Sequence, residues 1–354
     1  MADNSKVSRR ELLAGWGAAA MTERTEQSAR VREGAGSERV KPGIPTKRKL
    51  LQCLGGDWPK SGPLEPIVER SELKEGYRLE RVSYLVEPGE RIAAWLLLPD
   101  DASRKNPAPG VCVWHQHNGA YDVGKDEPAG LVLGPMHHTG VTLAREGYVV
   151  LCPDAVGFGE RGQRGRLRGR DLEHYLFGMY VAEGKCLAWK NILDMRRAVD
   201  LIASRPEVDV RRLGCYGHSM GSTHTWLAGP WEPRLKALVG NCCMPTYAAM
   251  ERTDLIHCFP NYIPGWRRYG DIPDIVGMIA PRALHLNFGE TDGGSPLDEV
   301  KAGVETIRQA FQARGAEDRF TYYIEASAGH NLSEEMFRYV KAHFAKYLKG
   351  QSTS

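Results

Sequence analysis

Residues 212–222 read RLGCYGHSMGS, and the reading of this stretch decides the fold. The apolar run Leu213–Tyr216 enters Gly217-His218-Ser219-Met220-Gly221, and helix-compatible residues follow. A bare Gly-x-Ser-x-Gly pentapeptide is a weak signal that a Gly-rich turn also satisfies. Placed between a strand and a helix it becomes specific. A sharp strand-to-helix turn forces the central serine into a strained backbone conformation, and glycines two residues away on either side remove the side chains that would clash there. The turn lifts the hydroxyl clear of the sheet and sets it at the positive end of the following helix dipole.

A serine hydroxyl is a poor nucleophile without a base, so the pattern demands a histidine oriented by a carboxylate downstream. The apolar run ALHLNF (283–288) is followed by GETDGGSP, which puts Asp292 in the loop at its end. The run FTYYIE (320–325) is followed by ASAGHN, which puts His330 in the next such loop. Taken singly, a turn aspartate and a surface histidine are the plain alternatives. The order Ser219, Asp292, His330, each after a predicted parallel strand, places all three at the carboxyl edge of one sheet, where open α/β sheets carry their sites.

Working outward, RLERVSYLV (78–86) and RIAAWLLLP (91–99) predict an antiparallel hairpin across EPGE. Further continuous apolar runs, GVCVW (110–114), YVVLCP (148–153), RLGCYG (212–217) and KALVGN (236–241), suit strands buried on both faces of a parallel sheet. Between the runs, Ala188, Ile192, Met195, Val199 and Ile202 recur at helical spacing. Val300, Val304, Ile307 and Phe311 do the same, as do Phe337, Val340, Phe344 and Tyr347. The expectation is one α/β domain over residues 49–350, with a mostly parallel central sheet of about eight strands and helices on both faces. Two segments break the alternation, 156–184 and 244–281, and long insertions of this kind are often lids or binding loops. The first carries five arginines within 161–170, read as a solvated loop before an anion-attracting one. In the second, Tyr262 and Trp266 are candidates for substrate contact, along with His218 beside the nucleophile; lid packing is the alternative.

The 354 residues are 42% hydrophobic and 26% charged, with a net charge of +3, which gives no reason to expect nucleic acid or a membrane surface as partner. The eight cysteines are scattered through apolar runs and read as reduced. Residues 1–48 are set apart as a polar tail, and SRRELLAGWGAAAM (8–21) within them carries a weak twin-arginine signal pattern. Localisation stays open, leaning to the cytoplasm, with export by that signal as the alternative. Whether identical chains associate also stays open.

Together, GHSMG (217–221), GETD with Asp292, AGH with His330, and PDAVGFGER (153–161) resemble the α/β-hydrolase superfamily. The stretches ASRPEVDVRRLGCYGHSMGS and DIPDIVGMIAPRALHLNFGETD look like its dienelactone-hydrolase-like and acetyl-xylan-esterase-like branch. The resemblance covers roughly residues 76–348. It departs from dienelactone hydrolases proper in having a serine, not a cysteine, as nucleophile. It implies the α/β-hydrolase fold and a serine esterase acting on small-molecule esters, acetylated carbohydrates among them, with no cofactor. A peptidase of the prolyl-oligopeptidase-like type and a catalytically silent binding protein are the alternatives. It further implies that the residue after the nucleophile, Met220, and a residue of Gln116–His117 donate backbone N–H groups to an oxyanion. This last implication bears on VWHQHNGAYD (113–122), whose His115 and His117 could otherwise suggest a metal. Zinc would need further ligands, His137-His138 is the only nearby pair in sequence, and no acidic residue completes a ligand spacing, so no metal site is expected.

Overall fold

The computed structural model describes residues 44–350, which fall within one compact unit. The tail and signal reading of residues 1–48 therefore lies, as far as residue 43, outside the described residues. At the boundary itself a helix spans Lys47–Leu54, capped by the Thr46 hydroxyl, and buries Leu50 and Leu54, so ordered structure begins ahead of the predicted domain start.

In chain order the strands are β1 (Ile67–Lys74), β2 (Tyr77–Glu87), β3 (Glu90–Pro99), β4 (Ala108–Trp114), β5 (Val149–Pro153), β6 (Gln163–Arg164), β7 (Leu167–Arg168), β8 (Val208–His218), β9 (Leu235–Asn241), β10 (Ala283–Gly289) and β11 (Phe320–Glu325). Nine of them form one sheet in the order β1-β2-β3-β5-β4-β8-β9-β10-β11. From β5 to β11 every neighbouring pair is parallel, while β1, β2 and β3 run antiparallel at one side. This is the doubly wound, mostly parallel sheet expected, with one strand more. The extra strand, β1, reads IVERSELK and has no buried position. It lies at the sheet edge with its side chains exposed or half-buried, so it lacks the apolar run that marks the others. Its charged side chains discourage further pairing there.

Every residue of β5 and β10 is buried, because helices cover both faces. On one side the helices Leu187–Ser204, Met220–Ala228 and Leu297–Gln312 pack Ile192, Trp226 and Ile307 onto Leu96, Cys215 and Leu286. On the other, Thr139–Arg145 and Glu334–Leu348 pack Leu143, Val340 and Phe344 onto Val111, Val150 and Tyr216. The alternation of side chains along each strand feeds the two cores in turn.

The segment 156–184 is partly ordered into the β6–β7 hairpin and a helix, Gly169–Ala182. Its first arginine does not face solvent. Arg161 reaches Asp194 at 2.7 Å and also pairs with Glu90, and Lys190 contacts Glu87 and Glu90 at 2.6 Å and Asp194 at 3.1 Å. Lys190 is 1% exposed. The network ties the central helix Leu187–Ser204 to the β2–β3 hairpin and to the loop that follows β5. Removing one member of a buried ionic cluster leaves its partners uncompensated, which costs more than the cluster itself contributes. Lys190→Met is therefore expected to lower unfolding free energy by about 3 kcal/mol, measured by urea denaturation. An unchanged midpoint would mean that the cluster is not needed for stability.

Candidate active site

Strand β8 runs through the middle of the sheet to His218, and the helix Met220–Ala228 starts one residue after Ser219. Ser219 occupies the turn between them with φ 57° and ψ −119°, a conformation L-residues rarely adopt. The packing around it explains the glycines. A Cβ on Gly217 would lie 2.1 Å from the Gly221 carbonyl, and one on Gly221 would lie 2.1 Å from the Trp114 carbonyl oxygen. The turn thus folds back on itself and against the end of β4, leaving no room for side chains. The Ser219 N–H is held by the Asn241 carbonyl at 2.8 Å, at the end of β9.

Asp292 follows β10 and His330 follows β11. The two loops are sewn together by Thr291 N–H to Ala328 O at 2.8 Å and Glu290 N–H to Glu325 O at 3.0 Å. His330 Nδ1 lies 2.8 Å from Asp292 Oδ2, and its Nε2 lies 2.8 Å from Ser219 Oγ. Asp292 is buried, and its other oxygen accepts the Gly294 N–H at 2.8 Å. Since the carboxylate only accepts, Nδ1 carries the ring proton, and Nε2 is left to accept from the serine hydroxyl. The structure therefore brings the three sequence-predicted residues into one continuous hydrogen-bonded line.

The loop after β4 lies beside this line, and its histidines are held by protein groups. His115 Nε2 accepts the Ala155 N–H at 3.1 Å, so its Nδ1 donates to the Gln116 carbonyl at 2.8 Å. His117 Nδ1 accepts the Gly119 N–H at 2.9 Å, so its Nε2 donates to Glu173 at 3.2 Å. Both nitrogens of each ring are thus committed, and neither imidazole is offered to a metal in this arrangement. Burial pushes His115 below the usual histidine range and favours its neutral form. Among the described residues, no acceptor takes the backbone N–H of Gln116, His117 or Met220. A planar trans peptide points its C=O and N–H in opposite directions. By gripping the Gln116 carbonyl, His115 therefore also sets the direction of the His117 N–H.

The three candidate substrate contacts are placed differently: Trp266 lies in the core, Tyr262 lines a cavity under the insertion and His218 lies at the site. Trp266 is completely buried, and its indole N–H donates to Asp271 O at 3.0 Å, so it belongs to the core beneath the insertion. Its apolar bulk wins over any role at the surface. Tyr262 is half-buried with its hydroxyl accepting the His257 N–H at 3.1 Å, part of an aromatic group with Phe177 and Phe259. His218 is at the site but inward. It accepts from Asn241 Nδ2 at 2.8 Å, burial pushes it down to about 3, and its ring lies 5.5 Å from that of His330. Missed from the sequence were His257, which meets Gly294 O at 2.6 Å next to Asp292, and Glu173 on the helix Gly169–Ala182, which also accepts from Tyr121 Oη at 2.8 Å.

Comparison with known proteins bears on this arrangement. The family model described as the Abhydrolase family matches residues 48–340. A Bacillus subtilis (strain 168) protein named "Putative hydrolase YtaP" is 28% identical over 291 residues, covering 80% of this chain and 93% of its own. Among solved structures, a glucuronoyl esterase from Solibacter usitatus superposes with a TM-score of 0.60 at 18% identity, over 84% of this chain and 90% of that one. Acetyl xylan esterase 1 from Thermoanaerobacterium sp. JW/SL YS485 does so with a TM-score of 0.57 at 16% identity, over 86% and 99%. At such identities the likeness to the two solved structures establishes the fold.

The close packing at the turn makes a direct prediction. Gly221→Ala should lower unfolding free energy by about 3 kcal/mol, because the new methyl must displace the end of β4. Gly293→Ala, at an exposed position with nothing within 4 Å of its Cβ, serves as control and should change stability by less than about 0.5 kcal/mol. Equal thermal midpoints for the two variants would refute the packing argument.

Proposed function

Because the chain belongs to the Abhydrolase family, we propose that it is a serine hydrolase that cleaves carboxylic esters, with Ser219, His330 and Asp292 as its catalytic triad. The observation that carries this reading is the pair of 2.8 Å contacts that His330 makes, one to Ser219 Oγ and one to Asp292 Oδ2. In this mechanism Ser219 Oγ attacks the ester carbonyl while His330 Nε2 takes its proton. Asp292 holds the Nδ1–H tautomer and stabilises the imidazolium that forms. The tetrahedral oxyanion is met by the N–H groups of Met220 and His117, with the Gln116 N–H as the alternative donor in the loop. Collapse expels the alcohol, which receives the proton from His330, and leaves an acyl-Ser219. Water, deprotonated by the same imidazole, then attacks the acyl carbon and releases the acid.

Esters of carbohydrates are the favoured substrate class, supported by the activities that the superposed glucuronoyl and acetyl xylan esterases are named for. A peptidase would use the same triad, so the substrate must be tested. The native protein is expected to hydrolyse p-nitrophenyl acetate and to leave peptide anilides intact. Ser219→Ala should lower the ester turnover by about 10⁴-fold or more while keeping its thermal midpoint. Retained turnover in that variant would remove Ser219 from the mechanism, and faster cleavage of anilides than of esters would favour the peptidase.

A further inference from the structure

The carboxylate of Glu127 has no place in the triad, yet it is 5% exposed and lies against the loop that carries the proposed oxyanion donors. Its Oε1 accepts from Gln116 Nε2 at 2.8 Å. The same oxygen is 3.5 Å from His137 Nδ1, which in turn lies 3.3 Å from Gln116 Nε2. Gln116 is itself buried, so the amide N–H groups of this carboxamide have little access to water and the carboxylate is their anchor. Resting on the serine-esterase reading above, we infer that Glu127 is a positioning residue, whose ionised carboxylate fixes the Gln116–His117 peptide and so the aim of the oxyanion N–H groups.

The peptide is held at three points. The ring of His115 grips its carbonyl, Glu173 holds the His117 ring, and Glu127 holds the Gln116 side chain. Burial pushes the carboxyl of this third anchor, Glu127, up to about 7. The Gln116 amide pulls it back in part, and the charged groups nearby are engaged elsewhere. The neighbouring Lys125 turns away to Asp154 and Glu160, and Asp126 accepts from the Trp95 indole. His137, from the turn 135–137, is pushed towards its neutral form by burial. His138, the next residue, points to the carbonyls of Val132 and Leu133. From β8, Tyr216 also faces this carboxylate, and its buried phenol stays protonated. Among the described residues, no cation offsets the burial of Glu127.

Ionised, Glu127 makes a charge-assisted bond to the Gln116 amide. Protonated, it is a weaker acceptor, and its new O–H turns to the neutral His137 Nδ1, so the loop loses part of its anchor. Glu127→Gln imitates the protonated form at every pH. The test is kcat/KM for p-nitrophenyl acetate, measured for both proteins between about pH 5.5 and 9, taken as a ratio so that ionisations common to both cancel. The ratio of native to Glu127→Gln is expected near one below about pH 6 and to rise about fivefold above about pH 8, with its midpoint near 7. A ratio that is constant with pH, as a purely structural role would give, or one that falls, overturns the inference. Gln116→Met deletes the same contact from the other side and keeps the backbone N–H, so it carries the test if Glu127→Gln does not fold. It should show the same pH-dependent ratio, and the double variant should lose no more than either single one. Because the Ser219→Ala comparison tests the nucleophile separately, a flat ratio in an enzyme that still depends on Ser219 overturns the role of Glu127 alone.

Discussion

The turn at Ser219 is the constraint from which the rest of the site follows. A residue with φ of 57° between β8 and its helix is held there only because Gly217 and Gly221 let the chain fold onto itself and onto the carbonyl of Trp114. That contact places the end of β4, and so the loop 115–117, beside the serine hydroxyl. Strain of this kind persists only where the surroundings over-determine it. Here they do, since β8 lies between β4 and β9 in the interior of the sheet and cannot relax without breaking both pairings.

Around this turn, each group that the proposed chemistry uses is oriented by a second one behind it. His330 is directed by Asp292, and Asp292 by the Gly294 N–H. His115 is directed by Ala155, and Ala155 belongs to the loop after β5. The charged cluster of Arg161, Glu90, Asp194 and Lys190 ties that loop to the central helix. Electrostatic stabilisation of a transition state depends on donors that do not reorganise at the moment of reaction. The ionic cluster at one end of this chain of contacts and the proposed oxyanion loop at the other therefore form a single mechanical unit. The insertion joins it through Glu173, which binds His117 and Tyr121.

Much of this was legible in the sequence because strong local signals carried it. The buried parallel strands are continuous apolar runs, the turn has its glycines, and Asp292 and His330 each follow a strand. What was not legible had no local signal. Strand β1 has no buried position and no continuous apolar run. Trp266, aromatic and set in an insertion, looked like a pocket wall, but its burial is decided by contacts with Asp271 and the underlying helices. Arg161 looked like part of a solvated basic run, and its partners Glu90 and Asp194 lie far off in the chain. Glu127 and Glu173 are separated from the residues they hold by 11 and 56 positions, and no spacing rule links a carboxylate to a carboxamide or imidazole at such distances. The histidines of VWHQHNGAYD read as no metal site, but which groups their four ring nitrogens bind is decided by tertiary partners that no spacing shows.

The central claim, that Ser219 is the nucleophile activated by His330, is tested most directly by covalent trapping. The native protein would be treated with a fluorophosphonate and digested, and the modified residue located by mass spectrometry while residual ester hydrolysis is followed in parallel. The account predicts a single phosphonylated site at Ser219, within the tryptic peptide 213–234, with activity lost in step with labelling. Modification at another residue, or full hydrolysis by a protein that the probe has modified at Ser219, would contradict it.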